Sequence, residues 1–199
     1  MTDHTSVSIP PPKDWPAFER NARLLFQLSL NDPAVQNNGV SGQRQHGVDI
    51  FGRRGGGTGP QVGIQCKGKN AEYGGRVTEK ELRAEVEKTK EFVPALDEFI
   101  LITTVPTDGR LQEAVRVLEG EVRAKGRALS IQVWGWDRVQ QEIILYPQAI
   151  QVFHPDATPF SNQIINEQRE TRRLVEEKAD VHAAGTSICI ACAFSAGDQ

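Results

Sequence analysis

Two short apolar runs carry polar side chains whose types and spacing could form a metal site. The first run, GVDIFGR, contains Asp49, and the second, VGIQCKGK, contains Gln65 and Lys67. Residues two apart in a strand face the same way, so Gln65 and Lys67 share a face and Cys66 is turned away. If the runs pair in a suitable register, Asp49 faces the same surface. A carboxylate and an amide oxygen suit a hard cation such as Mg²⁺, and an ammonium suits an attacking water or a developing negative charge.

Each of these side chains also has a purely structural interpretation. Asp49 could be a turn residue beside Gly47, and Lys67 could be an exposed lysine on an edge strand, where lysine discourages aggregation. Glu19, in the first predicted helix, could add a second carboxylate or could be a solvated residue beside an apolar stripe. The position of Asp49 inside an apolar run favours the metal interpretation, because buried charges are usually paired or bound to a metal.

Helical and strand patterns place the two runs in an α/β fold. The segment DWPAFERNARLLFQLSL predicts a helix capped by Asp14, and a short strand is predicted near Val35. The glycine-rich segment RGGGTGP predicts a hairpin loop between the two runs. Next comes TEKELRAEVEKTKEFVPAL, a helix whose capping box is Thr78 with Glu81. The hairpin requires antiparallel pairing.

The following segments predict alternating strands and helices. They are the strand EFILITTV, the helix DGRLQEAVRVLEGEVRAKG, the strand LSIQVWGW and the helix DRVQQEIILY, capped by Asp137 and stopped before Pro147. Strands that alternate with helices pair in parallel. We therefore expect a mixed central β-sheet flanked by helices.

Composition and charge limit the classes of protein to be considered. The net charge is −3, but residues 41–70 contain five basic residues and one acid, which suits either a phosphate-binding surface or a solvated basic hairpin. No apolar stretch is long enough to span a membrane, and the first residues do not resemble a secretion signal. Three cysteines, an odd number, favour a reducing cytoplasm.

The predicted organisation is one domain with extensions at both ends. Residues 1–13 are expected to form a flexible arm, and residues 14–150 the domain. Beyond the proline-bearing segment FHPDATPFSN, residues 160–180 predict a linker or packing helix, and residues 181–199 a poorly ordered tail. Cys189 and Cys192 supply too few ligands to predict a structural zinc site.

The series Glu19, Asp49 in GVDIF and QCK at residues 65–67 resembles the PD-(D/E)xK nuclease superfamily. In particular it is similar to restriction-endonuclease-like domains of Mrr type, in which glutamine often replaces the acid before x-K. The flanking segments resemble nuclease modules fused to STAND-type NTPases in prokaryotic antiviral systems: WPAFERNARLLF, SGQRQHGVDIFGR, VGIQCKGKN and FILITTVPTD. The resemblance covers roughly residues 15–147. It implies a restriction-endonuclease-like core of order αβββαβ, to which this chain adds an αβα extension.

The resemblance also implies roles for individual residues. Asp49 would bind Mg²⁺, or Mn²⁺ in its place, together with the side-chain oxygen of Gln65 and the backbone carbonyl of Cys66. Lys67 would orient or activate the attacking water, and Glu19 would bind a water or a second ion. Glutamine in place of the acid removes one negative charge and implies weaker metal affinity.

Further polar residues lie on either side of this series. On the amino-terminal side the candidates for nucleic-acid contact are Gln43, Arg44, Gln45 and His46, which could instead order the loop before Asp49. On the carboxy-terminal side Lys69 and Tyr73 could hold substrate.

The sequence therefore predicts a cytoplasmic, Mg²⁺-dependent endodeoxyribonuclease, the effector module of an anti-phage restriction system. Its sequence specificity is expected to be low, because no separate reading domain is visible. The chain has no P-loop, so a separate sensor or NTPase, or assembly into a homo-oligomer, would activate it. Two alternatives stay open: an inactive nucleic-acid-binding or assembly module on the same fold, and a partner-binding protein that uses the helix over residues 162–180.

Overall fold

The computed structural model describes residues 9–12, 14–39, 45–69 and 75–155. These residues belong to one compact unit that ends at Pro155, and residues 156–199 form a second unit outside the described residues. The predicted helix over 160–180, the predicted tail over 181–199 and the pair Cys189 and Cys192 all lie in that second unit.

The fold is α/β with a five-stranded mixed sheet, as predicted. The strands are β1 (Gln36–Asn37), β2 (Ile50–Arg53), β3 (Gln61–Lys67), β4 (Glu98–Thr103) and β5 (Ser130–Trp134). Their order in the sheet is the same as in the chain. The pairs β1–β2 and β2–β3 are antiparallel, and β3–β4 and β4–β5 are parallel. β3, which carries Gln65 and Lys67, is therefore an inner strand.

Six α-helices, and a 3-10 helix over Thr89–Glu91, accompany the sheet within the described residues. The α-helices are α1 (Trp15–Ser29), α2 (Arg54–Gly57, one turn in the β2–β3 hairpin), α3 (Glu79–Lys88), α4 (Gly109–Ala124), α5 (Trp136–Ile144) and α6 (Pro147–Phe153). The predicted caps of α1 and α3 are present: Asp14 accepts from the Ala17 N–H, and Thr78 and Glu81 form a capping box. No helix of the described ranges has both the length and the apolar character that crossing a bilayer requires.

Two details after β5 differ from the predictions. α5 begins at Trp136 with Gly135 as its N-cap, so the prediction that Asp137 caps it is wrong. The buried indole of Trp136 and the hydrogen bond from its backbone N–H to the Val105 carbonyl fix this earlier start. α6 was not predicted, because Pro147 was taken only as a stop, whereas proline in a first turn also suits a helix start.

The predicted flexible arm over residues 1–13 is fixed at Ile9. The Ile9 side chain is buried, its N–H donates to Gln140 Oε1 at 2.8 Å, and its carbonyl accepts from Trp136 Nε1 at 2.7 Å. An apolar side chain that fills a core position and a backbone paired on both sides account for this difference. Residues 1–8 and 13 lie outside the described residues.

The sheet separates two apolar layers. On one face the side chains of Phe99, Leu101, Ile131 and Val133 pack with those of α3 and α4 in a single buried cluster. On the other face α1 and α5 contact the sheet, and Phe26 of α1 stacks on Trp134 at 5.4 Å. Register places Gln65 beside Leu101 and Lys67 beside Thr103, so both side chains lie on the α3 face. Cys66 lies on the α1 face.

A buried carboxylate, Asp32, links the end of α1 to β2. Its Oδ2 accepts from the Arg53 N–H at 2.7 Å and its Oδ1 from the Ala34 N–H at 2.9 Å. The same segment packs closely on β2, because a Cβ atom at Gly52 would clash with the Val35 side chain. Asp32 therefore holds in place the strand that follows Asp49.

Replacing Asp32 tests this link. Asp32→Ala should lower the free energy of unfolding by about 1 to 3 kcal/mol, because the N–H groups of Ala34 and Arg53 lose a charged acceptor in partly buried hydrogen bonds. Urea denaturation measures the change. Asp32→Asn keeps one acceptor oxygen and should lose less. A loss below about 1 kcal/mol in Asp32→Ala would contradict the role.

Candidate active site

Asp49 and Gln65 face each other across the β2–β3 hairpin. Asp49 is only 6% exposed, and its Oδ2 accepts from Gln65 Nε2 at 2.5 Å and from the Cys66 N–H at 2.7 Å. The backbone N–H of Asp49 donates to the Ile64 carbonyl at 2.8 Å, which continues the ladder beyond β2. The expected convergence of Asp49, Gln65 and Lys67 on one surface is present in the fold.

A tight turn delivers Asp49 to this position. His46 and Gly47 both have positive φ, 51° and 73°, and the Val48 N–H donates to the Gln45 carbonyl at 3.0 Å. Asn38 Nδ2 donates to the carbonyls of Gln45 and Val48 and holds the turn to β1. Gly47 also lies against α3, since a Cβ atom there would be 2.8 Å from the Glu85 carbonyl oxygen. The turn therefore requires glycine for its conformation and for its close approach to α3.

The three groups implied as metal ligands lie next to one another. Gln65 Nε2, besides its bond to Asp49, donates to the Cys66 carbonyl at 3.2 Å. The amide nitrogen thus contacts both a carboxylate oxygen and a carbonyl oxygen. A half-turn of the Gln65 amide would put its oxygen beside those two oxygens in place of the nitrogen. The resulting donor set, all oxygen, fits a hard divalent cation.

This donor set contains only one acidic side chain. Among the residues that the structure describes, no group of three or more His, Cys, Asp or Glu side chains could hold a metal ion. The set above is of another kind, because two of its three donors are an amide and a backbone carbonyl.

The environment of Asp49 favours its neutral form. Burial, together with the smaller effects of the Glu19 and Glu85 carboxylates, raises the pKa of Asp49 to about 6 against the opposing effects of the Cys66 N–H and the Lys67 ammonium. A raised pKa that results from burial and carboxylate neighbours is typical of functional sites. Behind the site, burial raises the pKa of the Cys66 thiol well above its ordinary value.

Lys67 is held by a buried carboxylate on α3. Lys67 Nζ lies 2.7 Å from Glu85 Oε1, and Lys88 Nζ lies 3.0 Å from Glu85 Oε2. Burial alone would raise the pKa of Glu85, but the hydrogen bonds from both lysines outweigh it and lower that pKa. The edge-strand interpretation of Lys67 is wrong, because β3 lies between β2 and β4.

Glu85 is a site residue that the sequence analysis missed. Its position three residues after Leu82 and one before Val86 places it on the inward face of α3, and this spacing was the available signal. A charged residue in such a position needs a partner, and Lys67 provides it.

Two clefts open on either side of these residues. The α3 cleft, of about 470 Å³, is lined by Gln45, His46, Gly47, Asp49, Gln65, Lys67, Glu85, Lys88 and Glu91. The α1 cleft, of about 400 Å³, is lined by Trp15, Pro16, Glu19, Gln45, Asp49, Gln65, Cys66, Lys67 and Gly68. Asp49, Gln65 and Lys67 line both clefts and form the ridge between them.

The remaining predicted site residues divide into three groups. Gln45 lines both clefts, Glu19 lines the α1 cleft, and His46, whose Nδ1 lies 3.1 Å from Glu91 Oε2, lines the α3 cleft. Lys69 lines neither cleft, because its Nζ pairs with Glu81 Oε1 at 2.5 Å. The structure does not bring it to the site as predicted. Gln43, Arg44 and Tyr73 lie outside the described residues.

Comparisons of the chain with models of protein families, with curated proteins and with solved structures found no match. The interpretation of the site therefore depends on its geometry and on the sequence pattern.

The raised pKa of Asp49 predicts a pH-dependent effect on stability. Because the folded-state pKa of about 6 lies above the ordinary 3.8, the fold favours the neutral carboxyl. This contribution is complete below about pH 4 and is lost as the pH rises through about 6. Asp49→Asn, which keeps an acceptor oxygen, should therefore gain stability relative to wild type by on the order of 3 kcal/mol between about pH 4 and 7. Urea denaturation in EDTA measures the difference at each pH. A stability difference between Asp49→Asn and wild type that does not change with pH would contradict the raised pKa of Asp49.

Introducing an acid at Gln65 should have opposite effects with and without metal. In EDTA, Gln65→Glu should lower Tm, because two carboxylates then face each other in a buried site. Adding Mg²⁺ or Mn²⁺ should raise the Tm of Gln65→Glu by more than it raises the Tm of wild type, because the added charge strengthens cation binding. Thermal unfolding with and without the ion measures both effects.

Gln132→Glu on β5 is the matched control for Gln65→Glu, since it makes the same charge change far from both clefts. Equal metal-induced shifts in wild type and Gln65→Glu would contradict a cation site at Gln65.

Proposed function

We propose that this chain is a metal-dependent endonuclease that hydrolyses DNA phosphodiester bonds on a restriction-endonuclease-like core. The observation that carries the proposal is the convergence of the Asp49 carboxylate, the Gln65 amide, the Cys66 carbonyl and the Lys67 ammonium between two open clefts. Oxygen donors for a cation and an adjacent fixed positive charge are what phosphodiester hydrolysis requires.

The order of elements supports the proposed core. α1 precedes the three strands β1 to β3, and α3 and the parallel strand β4 follow them. This is the order αβββαβ that the sequence resemblance implies. The elements α4, β5 and α5 correspond to the expected extension, and α6 adds a further helix.

Each residue of the ridge has a defined task in this proposal. Asp49, the Gln65 side-chain oxygen and the Cys66 carbonyl would hold Mg²⁺ or Mn²⁺. When bound, such an ion supplies Lewis-acid stabilisation of the phosphate and lowers the pKa of a bound water. Lys67 orients the attacking water and offsets the negative charge that builds at phosphorus.

Two glutamates beside the ridge have supporting roles in this proposal. Glu85 keeps the Lys67 ammonium in place through the 2.7 Å ion pair. Glu19, in the α1 cleft, is suited to hold a water or a second ion.

The α3 cleft offers groups that suit a phosphate backbone. Lys88 and His46 supply positive charge or N–H donors, and Gln45 supplies an amide. Contacts of this kind position a strand without reading its sequence, so we expect low sequence specificity.

The proposed setting is the cytoplasm of a prokaryotic cell that uses the module as an effector against phage. A reducing compartment suits the free thiol of Cys66, which is buried behind the site. The site has only one acidic ligand, and so a requirement for activation by a sensor, an NTPase or self-assembly is reasonable.

An inactive nucleic-acid-binding or assembly module is the second candidate. One observation favours it: the nitrogen of the Gln65 amide faces Asp49, and the resulting hydrogen bonds satisfy the carboxylate without a cation. The alternative of partner binding through residues 162–180 concerns a segment outside the described residues.

A cleavage assay with Mg²⁺ tests the enzyme directly. Supercoiled plasmid and single-stranded circular DNA should be cut by wild type. Asp49→Asn and Lys67→Ala should each lose at least about 100-fold in rate, because each removes a group that stabilises developing charge. Lys125→Ala, an exposed lysine in neither cleft, is the matched control and should cut like wild type. Equal cutting by all four proteins would reject the proposal.

A further inference from the structure

Trp15 is an exposed aromatic residue in a polar cleft. Of the three tryptophans in the chain, Trp134 and Trp136 are 7% and 6% exposed, whereas Trp15 is 39% exposed. Trp15 opens α1 and lines the α1 cleft together with Asp49 and Lys67. An exposed indole that lines a polar cleft is suited to bind a ligand, because tryptophan combines a large apolar ring with an N–H donor.

Two packing contacts hold the indole ring of Trp15 in place. Its six-membered ring lies against Gly68, where a Cβ atom would clash with Cε3 and lie 2.7 Å from Cζ3. Its other support is Phe18, a fully buried residue whose ring centroid lies 5.6 Å away at a tilt of 52°. Trp15 therefore presents a preorganised apolar surface to the cleft.

The contact with Gly68 places this surface relative to the chemistry. Gly68 directly follows Lys67 in the chain, and the side chain of Lys67 lines the same cleft as the indole. A planar group lying on Trp15 would therefore share this cleft with the phosphate that the proposed function places at Lys67. Glu19 and Gln45, in the same cleft, offer hydrogen-bonding groups to the edge of such a ring.

We propose that the α1 cleft is a nucleobase subsite in which Trp15 stacks on one unpaired base next to the scissile phosphate. The inference deepens the proposed nuclease function and depends on it for the location of that phosphate. Stacking on aromatic side chains is the usual way in which proteins bind single strands, and every base has a face to offer. In an intact duplex both faces of each base are covered by its neighbours. The favoured substrate is therefore a single strand, a frayed end or a flipped nucleotide.

The cleft has a suitable size for this ligand. Its volume of about 400 Å³ lies within the range of roughly 300 to 1,000 Å³ that is usual for small-molecule sites. One nucleotide fits into a space of this size.

Tryptophan fluorescence of the full chain in EDTA tests the subsite without any cleavage. An oligothymidylate should quench the emission of Trp15. An abasic oligonucleotide with the same number of phosphates should not, and a hairpin duplex should bind more weakly. The buried Trp134 and Trp136 provide a constant background, and Trp15→Phe should abolish the quenching.

Binding of a labelled oligothymidylate, followed by anisotropy, gives the size of the effect. Trp15→Ala should bind about 5- to 150-fold more weakly than wild type, the range expected for loss of one base–aromatic stack. The affinity of Trp15→Phe should lie between those of wild type and Trp15→Ala, and Trp134→Phe should bind like wild type. The quenching measured on wild type keeps the test valid even if Trp15→Ala does not fold.

Several outcomes would overturn the inference. Equal binding of the abasic and thymidine strands would show recognition of phosphate alone. Equal binding and quenching by the duplex would remove the preference for an unpaired base. Unchanged DNA binding by Trp15→Ala would assign the indole to another partner, such as a protein.

The two proposals fail independently. Quenching by thymidine strands without any Mg²⁺-dependent cleavage supports the subsite and rejects the nuclease. Cleavage without any response of Trp15 supports the nuclease and rejects the subsite.

Discussion

The buried carboxylate of Asp49 is the group on which the arrangement of the site depends. A carboxylate that is almost fully removed from water is costly unless hydrogen bonds or charges compensate it. Here a backbone N–H of β3 and the amide of Gln65 both donate to a single oxygen of Asp49. The hydrogen bonds that offset the burial of Asp49 come from the paired strand. The geometry of the hairpin and the protonation state of the carboxyl are therefore coupled.

The charges around this point are balanced by elements from different parts of the chain. β3 supplies Lys67, and α3 supplies Glu85 and Lys88, which form one ion-paired cluster with it. Glu85 keeps the ammonium close to Asp49 and also raises the pKa of that carboxyl. A change at one of these residues therefore alters the electrostatic environment of the others. Gly47 packs closely against Glu85 of α3, so the turn that carries Asp49 is also positioned by this helix.

Local patterns predicted much of the fold and part of the site. Alternation within VGIQCKGK placed Gln65 and Lys67 on one face, and the glycine-rich segment before it indicated the hairpin. The capping box at Thr78 and Glu81 marked the start of α3. These predictions succeed because neighbouring residues determine them: strand alternation, turn chemistry and helix caps all act over a few positions. Asp137 as a cap and the flexible arm at Ile9 were wrong because distant partners determine both places. The Val105 carbonyl accepts from the Trp136 N–H at the start of α5, and the Trp136 indole donates to the Ile9 carbonyl.

The sequence by itself determined the types of chemical group available, their order along the chain and the strands and helices that carry them. Only the tertiary structure decided which of them meet. It buried Glu85 against Lys67, paired Lys69 with Glu81 away from the clefts, and seated Trp15 on Gly68. The physical reason is that these contacts join separate elements across the ends of the sheet. Their geometry follows from the packing of α1 and α3 on opposite faces, which no local pattern of residues encodes.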